Sequence, residues 1–572
     1  MKKTFALILL FLGTKLFSQI TNSHWALGSN LGDSHARIIE VAKSGNIYVK
    51  GEYNTEEFEL GGFVIKNPVF NPNALFIAKL NSDGKVLWLK NFDQPAIEIS
   101  GMSLDSDENI VITGWFTIDY PPKFDSIQLI EPLGATATFI AKYTSDGNIL
   151  WAKSISGAIR EIFPESGPGP VIDFKNQIYI GGVFSIDTVR FDSFNLINRN
   201  YPSYEIFVCC LSPNGKTIWV KEFGGSSSDI PNSITFDGNG HFILSGYFYS
   251  KSVKFDSFEI FRTPSKDPIP WYGDIFVVKF TLDGEVVWAN SVNGNSNKGA
   301  HGAWSDGSEN TYLFGTSESD TLIIGQTRIS LKGAKGYSDC FFCKYDPSGK
   351  LIYAKTFDDG IAGGLSGLSG TVLQNGDFYI IGLFDSTVAK VDNIALPYYG
   401  NVTDIFVLKY NKDGECLMGK SIGSNGADVI GSMKVDSEEN IYCVGSYSGN
   451  KLYSCGDTLV NPYLFNGITG SDTSPCYIFK LNKLILDNKD LPQSTKAVLY
   501  PNPTKDLLHF YIDSYQDLDN VEIINLEGKS TRLEYKQNNS IFELNISRFN
   551  PGIYFLKIKC DDHSIIEKFI IN

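Results

Sequence analysis

The chain has 572 residues and a formal net charge of -15, from 64 acidic against 49 basic side chains. That length exceeds one apolar core unless the core is built from repeats. A field of that sign repels phosphate backbones, which excludes nucleic acid as a partner. Aromatic residues make up 13% of the chain, with 40 Phe and 28 Tyr, a composition suited to pleated sheets.

Residues 1–18 read as a cleavable secretory leader. Lys2 and Lys3 supply the positive start, Thr4 to Gly13 are nearly all apolar, and Ser18 is a small residue fit for a peptidase. Lys15 interrupts the pattern, and Gln19 stands where a lipid-bearing cysteine would have to be. No later stretch reaches about 18 consecutive apolar residues, so no transmembrane segment is predicted.

From residue 19 to residue 485 the chain repeats. A strand ending in glycine recurs as NIYVKG, NIVITG, QIYIGG, HFILSG, NTYLFG, DFYIIG and NIYCVG, ending at Gly51, Gly114, Gly182, Gly246, Gly315, Gly382 and Gly445. The spacings are 63, 68, 64, 69, 67 and 63 residues. An apolar strand follows each (FIAKL, IFVVKF, IFVLKY), then an Asp-Gly, Asn-Gly or Ser-Gly turn, then a strand carrying Trp88, Trp151, Trp219, Trp288, Tyr353 or Met418. Asp-Gly and Asn-Gly between apolar runs signal a hairpin, because glycine takes the positive φ of the turn. This last strand follows its turn six times, not seven. The missing copy is HWALGS, His24 to Ser29, whose Trp25 matches Trp151 in LWAKSI. The first strand of the mature chain is therefore expected to lie beside Cys476–Leu481 and close the ring, which removes an exposed sheet edge.

The predicted architecture is all-β: a seven-bladed β-propeller with an N-terminal strand closing the last blade, then a small immunoglobulin-like β-sandwich. The stretches DIFVVKFTLDGEVVW and GGSSSDIPNSITFDGNGHFILSG resemble the SBBP repeats of bacterial seven-bladed propellers. Asp274, Asp339 and Asp404 match that family's Asp before the FV strand, whereas Ala74 and Ala137 depart from it. Tight links join first to second and third to fourth strands. Long links with their own apolar segments, KFDSIQLI, RFDSFNLI and KFDSFEIF, join second to third. Long loops on a rigid scaffold are where binding usually resides, so that face is the candidate binding face. The structural alternative is an extra edge hairpin packed on each blade.

Residues 486–496 read as a polar linker. From 497 to 572 the pattern changes to short strands at sandwich spacing, with turns at Glu527-Gly528 and Pro551-Gly552. YPNP at Tyr500–Pro503, NLEGK, NPGIYFLKI and the terminal KFIIN resemble the type A C-terminal sorting domain of the type IX secretion system. The resemblance implies that this module engages the type IX machinery and carries the chain across the outer membrane, to be secreted or held at the cell surface.

No catalytic, cofactor-binding or metal-ligating residue is assigned, and no cofactor is expected. His24, His35, His241, His301, His509 and His563 form no metal spacing. No GxSxG elbow or phosphate loop occurs. Ser212-Pro213-Asn214-Gly215 before Trp219 sits where a sialidase Asp-box would, but its glycine is one place early, and the eight arginines show no carboxylate-binding cluster. Asp105, Asp107 and Asn109, or Asp436 and Glu438, are incomplete as calcium loops and read as solvated turns. Cys340 and Cys343, three apart on a strand, point to opposite faces and make a poor redox pair. Cys455 with Cys476 is the one disulfide worth testing. The sequence therefore predicts a monomeric, non-catalytic binding or adhesion module for an extracellular protein or glycan. The alternatives are a structural surface or matrix component and a secreted propeller-type polysaccharide-degrading enzyme.

Overall fold

The computed structural model describes residues 25–571 except 30–32, 68–70, 72, 93, 95, 118, 130–135, 156–168, 264–272, 332–338, 358–368, 385–389, 392–393, 397, 400–401, 450, 455–456, 461–473, 482–497, 501–504, 506, 512–519, 526–528, 539–540 and 561–562. The leader, residues 1–18, lies outside the described residues, as does the linker, residues 486–496, apart from its assignment to a unit. Every regular element described is a β-strand, and no described helix is long and apolar enough to cross a membrane. The chain divides into two compact units, Met1–Asp487 and Asn488–Asn572.

In the first unit the strands gather into antiparallel sheets with one repeating order. The first of them runs Ser34–Val41, Ile47–Tyr53, Ala74–Leu80, Val86–Phe92. Six more begin at Ile97–Leu104, Val171–Ile172, Asp229–Phe236, Lys298–Ser305, Ser369–Val372 and Asp428–Val435. These first strands neighbour one another in a cycle, and Asp428–Val435 lies against Ser34–Val41, so the arrangement is propeller-like. The last sheet takes its fourth strand from the other end of the unit. Trp25–Gly28 pairs antiparallel with the strand Cys476–Leu481, Trp25 opposite Lys480 and Gly28 opposite Tyr477.

The repeated residues follow from this packing. Second and third strands such as Ile178–Phe184 and Glu205–Leu211 are buried at every position, because neighbouring sheets cover both their faces. The repeated glycine lies two or three residues inside the end of each second strand and faces a third-strand aromatic, for example Gly51 opposite Phe76 and Gly445 opposite Tyr477. A Cβ on Gly51 would run into the Phe76 ring and the His35 carbonyl, so a larger residue there forces that ring or the paired backbone to shift.

The turn glycines and fourth-strand aromatics are one device. The indole N–H of Trp88, Trp151, Trp219 and Trp288 donates to a turn carbonyl of the next sheet, at Ser145, Pro213, Leu282 and Pro347, at 3.1–3.2 Å. Each ring lies over that turn's glycine: Gly147, Gly215, Gly284 and Gly349, all at φ between 80° and 84°. Trp25 donates to Ser82 O at 3.1 Å over Gly84, so the N-terminal strand joins the closing sheet to the first by the same contact. Met418 holds the equivalent place in the sixth sheet.

The second unit forms two four-stranded antiparallel sheets. One orders Val498–Tyr500, Leu507–Tyr511, Ile541–Asn545 and Tyr535–Asn538; the other orders Ser530–Arg532, Asn520–Asn525, Gly552–Cys560 and His563–Ile571. Leu508, Phe510, Phe542 and Leu544 from one sheet meet Ile523, Leu556 and Phe569 from the other in one core.

Candidate functional site

Where the first strands converge there is a cavity of about 700 Å³. All seven contribute to its wall, among them Arg37, Ser103, Ile172, Thr235, Trp304, Thr371 and Lys434. Lys43, Ser106, Phe174 and Gln374, from the turns between first and second strands, also line it, so it lies toward the tight-turn end of the ring.

The charged groups lining the cavity are largely engaged. Lys434 Nζ is 3.0 Å from Glu40 Oε1, an ion pair joining the first strands of the closing and first sheets. Burial pushes the Glu40 carboxyl up, opposed by the Lys434 ammonium. Arg37 reaches Glu52 at 3.3 Å. Asp105 Oδ1 accepts the backbone N–H groups of Asp107 and Asn109 at 2.9 and 2.8 Å, and its Oδ2 lies 2.8 Å from Lys142 Nζ. Burial would raise that carboxyl, but the Lys142 and Asn109 donors outweigh it and hold it below the ordinary carboxylate value. Asp173 accepts from the N–H groups of Lys175 and Gln177 and from the Tyr179 hydroxyl.

The acidic turns are thus structural. Asp237, Asp306 and Asp436 repeat the Asp105 pattern, each accepting two backbone N–H groups two and four residues on. A buried third-strand lysine supplies the countercharge at Asp105, Asp237 and Asp306. The fourth turn residue reaches back to the preceding sheet. Glu108, at φ 60°, accepts from Asn46 and Tyr48, and Glu439, at φ 62°, from Lys409 and Tyr379.

Sequence reading missed one convergence. Asp237, His241 and Glu309 bring their ligand atoms within 4.8 Å of one another. Lys279 Nζ lies 3.2 Å from Asp237 Oδ2 and 3.4 Å from Glu309 Oε2, so an ammonium already supplies the positive charge there. The available signal was His241 in HFILSG, where four other repeats carry Asn.

The long second-to-third links form hairpins, as in Thr188–Phe191 with Phe194–Ile197 and Ser252–Phe255 with Phe258–Phe261. Their FDS residues are consumed by packing. Phe124, Phe191 and Phe255 are buried. Asp125, Asp192 and Asp256 lie at φ 50–51° and bind Lys90, Lys153 and Lys221 of the preceding sheet. Three hairpins also add strands to the preceding sheet's outer edge, as at Gly224 opposite Lys254, Val292 opposite Ile324 and Ile422 opposite Ser454.

Cys340 and Cys343 enter different cores, and burial pushes both thiols up, Cys343 to about 12. Cys455 lies outside the described residues; Cys476 is buried and unbridged. His301, on the first strand of the fifth sheet, is lowered to about 4 by burial, its Nε2 3.0 Å from Thr316 Oγ1.

Several known proteins are similar. An uncharacterized WD repeat-containing protein of Acanthamoeba polyphaga mimivirus is 23% identical over 503 residues, 73% of this chain and 35% of that protein. The chain thus spans about a third of that curated relative's length. Among solved structures, a Dyadobacter fermentans protein of unknown function aligns over 80% of this chain and 99% of its own, at 9% identity and TM-score 0.38. The endosialidase of phage phi92 aligns over 90% of this chain and 75% of its own, at 10% identity and TM-score 0.37. A PL25 ulvan lyase aligns over 71% and 88%, at 11% identity and TM-score 0.37. Residues 498–572 match the family model of the secretion system C-terminal sorting domain. The chain therefore carries a type IX secretion sorting domain and is delivered to the cell surface or the extracellular space.

Proposed function

We propose that residues 19–485 are a seven-bladed β-propeller of the SBBP kind, acting outside the cell as a non-catalytic binding module, and that residues 497–572 are the immunoglobulin-like sandwich that exports it. The cavity carries this reading. It gathers side chains from every first strand, as a ligand site in a ring does. Its Asp105 and Asp173 carboxylates are held by backbone donors, which leaves them poorly placed for acid–base work. The ligand site is the cavity and not the long-link hairpins, whose FDS residues are spent on joining blades. The test is binding of the exported chain to protein and glycan arrays, beside a Thr371→Trp variant that fills the cavity. Binding lost in the variant at unchanged melting temperature supports the reading. Binding kept in the variant sinks it.

A further inference from the structure

The geometry points to an uncharged, hydroxyl-rich glycan as the cavity's ligand, held on Phe174 and by the Glu40–Lys434 pair. This rests on the cavity being the binding site.

Three observations carry it. Phe174 follows the turn aspartate Asp173, and in the other Asp-type turns that place holds Ser106, Gly238, Gly307 and Ser437. Four repeats thus keep a small residue where this one carries an aromatic ring that is 66% exposed. The ring adds nothing to a core, yet it lines the cavity mouth. An exposed aromatic face beside a polar cavity suits the C–H face of a sugar ring.

Second, the interior charges cancel in pairs: Lys434 with Glu40, Arg37 with Glu52, and Asp105 with Lys142. Lys43 and Glu108, of opposite sign, also line the cavity. Asp173 adds one further negative charge, whose oxygens are taken up by the Lys175 and Gln177 N–H groups and the Tyr179 hydroxyl, so the lining offers little net field and no excess of cations to hold an anionic ligand.

Third, the remaining hydrogen-bonding capacity is neutral. The Ser103 and Thr371 hydroxyls and the Gln374 amide line the cavity. The Glu40 carboxylate accepts and the Lys434 ammonium donates, and the Lys434 side chain is 34% exposed. An acceptor beside a donor matches a pair of adjacent sugar hydroxyls, and hydrogen bonds to charged groups are the stronger kind. A glycan bound there touches both the first and the closing sheets, so it also stabilises the seam between the chain's two ends.

The experiment is calorimetric titration of the full exported chain. The probes are neutral glucose-, mannose- and xylose-based hexasaccharides, with galacturonate and sulfated galactose oligomers of equal length. At least one neutral oligosaccharide is expected to bind and the charged ones not. Phe174→Ala, which removes an exposed ring and leaves the fold intact, is expected to weaken binding about five- to tenfold. The double variant Glu40→Gln with Lys434→Gln keeps the cavity neutral and is expected to weaken it further. Charged oligomers binding more tightly, with loss on Phe174→Ala, would overturn the ligand class and leave the cavity reading standing. Binding indifferent to Phe174→Ala and to Thr371→Trp would overturn both. Absence of binding to every oligosaccharide would also overturn the ligand class, and a protein ligand blocked by Thr371→Trp would then keep the cavity reading.

Discussion

Two junctions between adjacent sheets occupy the same place in the repeat and carry opposite chemistry. Between the fourth and fifth sheets, Asp274 opens a third strand and Lys298 opens the next first strand. They form an ion pair at 2.9 Å, with side chains 3% and 1% exposed. Between the sixth and closing sheets the same two positions hold Asp404 and Asp428. Burial pushes the Asp428 carboxyl well up, and the neighbouring Asp404 adds to the effect, while the N–H and hydroxyl of Ser424 oppose it. At the first junction an acid and a base hold together by their charges, whereas at the second burial and the neighbouring acid favour a neutral carboxyl. The outer layer differs in the same sense. Trp288 donates across the fourth junction to Pro347 O, whereas Met418 at the sixth has nothing to donate. The seam beside the chain's own closure is therefore the more lightly fastened, and its strength depends on pH.

The largest effect is expected from breaking the charged junction. Lys298→Met leaves Asp274 buried without its cation, a loss of about 3–5 kcal/mol. Urea unfolding of the first unit checks it, and a loss below about 1 kcal/mol would mean that solvent already screens the pair.

The acid junction is probed by pH. The Asp428 carboxyl is raised in the folded chain above its ordinary value of 3.8, so the unfolded chain gives up that proton first. Stability is full below 3.8 and falls as pH rises from there through the folded value, with a slope of up to about 1.4 kcal/mol per pH unit. Asp428→Asn is expected to abolish that slope. Asp229, raised to about 7 mainly by burial, leaves a second decline ending near there. Unfolding midpoints of wild type and variant from about pH 5 to about pH 8 give the answer, and parallel curves would refute the raised Asp428 carboxyl.

A smaller effect sharpens the outer layer. Trp288→Phe loses one buried hydrogen bond, about 1 kcal/mol, while Met418→Leu conserves volume and is expected to cost less than about 1.5 kcal/mol. Amide exchange should then quicken in Lys298–Ser305 for the first variant and stay near wild type in Asp428–Val435 for the second. The smallest effect belongs to the perimeter. Lys153 and Asp192 are 21% and 37% exposed, so Asp192→Asn is expected to cost about 0.2–1 kcal/mol, and less at high salt. Asparagine tolerates the φ of 50° at that position, so the variant reports the charge and not the backbone.

Much of the fold was legible because its repeats are local. Glycine, apolar run, turn and tryptophan lie within a few tens of residues of one another, and each follows from the geometry of one sheet. The partner of Trp25 was legible too, since HWALGS is recognisable as a missing fourth strand. The site was much less so. Glu40 and Lys434 are 394 positions apart in the sequence, and nothing near either residue marks it as facing the other. Phe174 looked like one aromatic among many until its turn was set beside the others in space. The FDS segments left two readings open, an edge hairpin packed on the blade and a binding surface. The three hairpins that pair with the sheet before them, and the Asp125, Asp192 and Asp256 ion pairs, favour the first.

By itself the sequence determined the strands, their grouping, the place of the chain's start beside its repeat's end, and the address carried by the last residues. These depend on local alternation, turn chemistry and recurrence, which a linear text preserves. Tertiary structure alone decided which charges cancel, which carboxyl burial and a neighbouring acid push up, and which side chains meet at the centre. Those outcomes depend on distances across the ring, and Coulomb attraction, burial and hydrogen bonding act on distance and not on position in the chain.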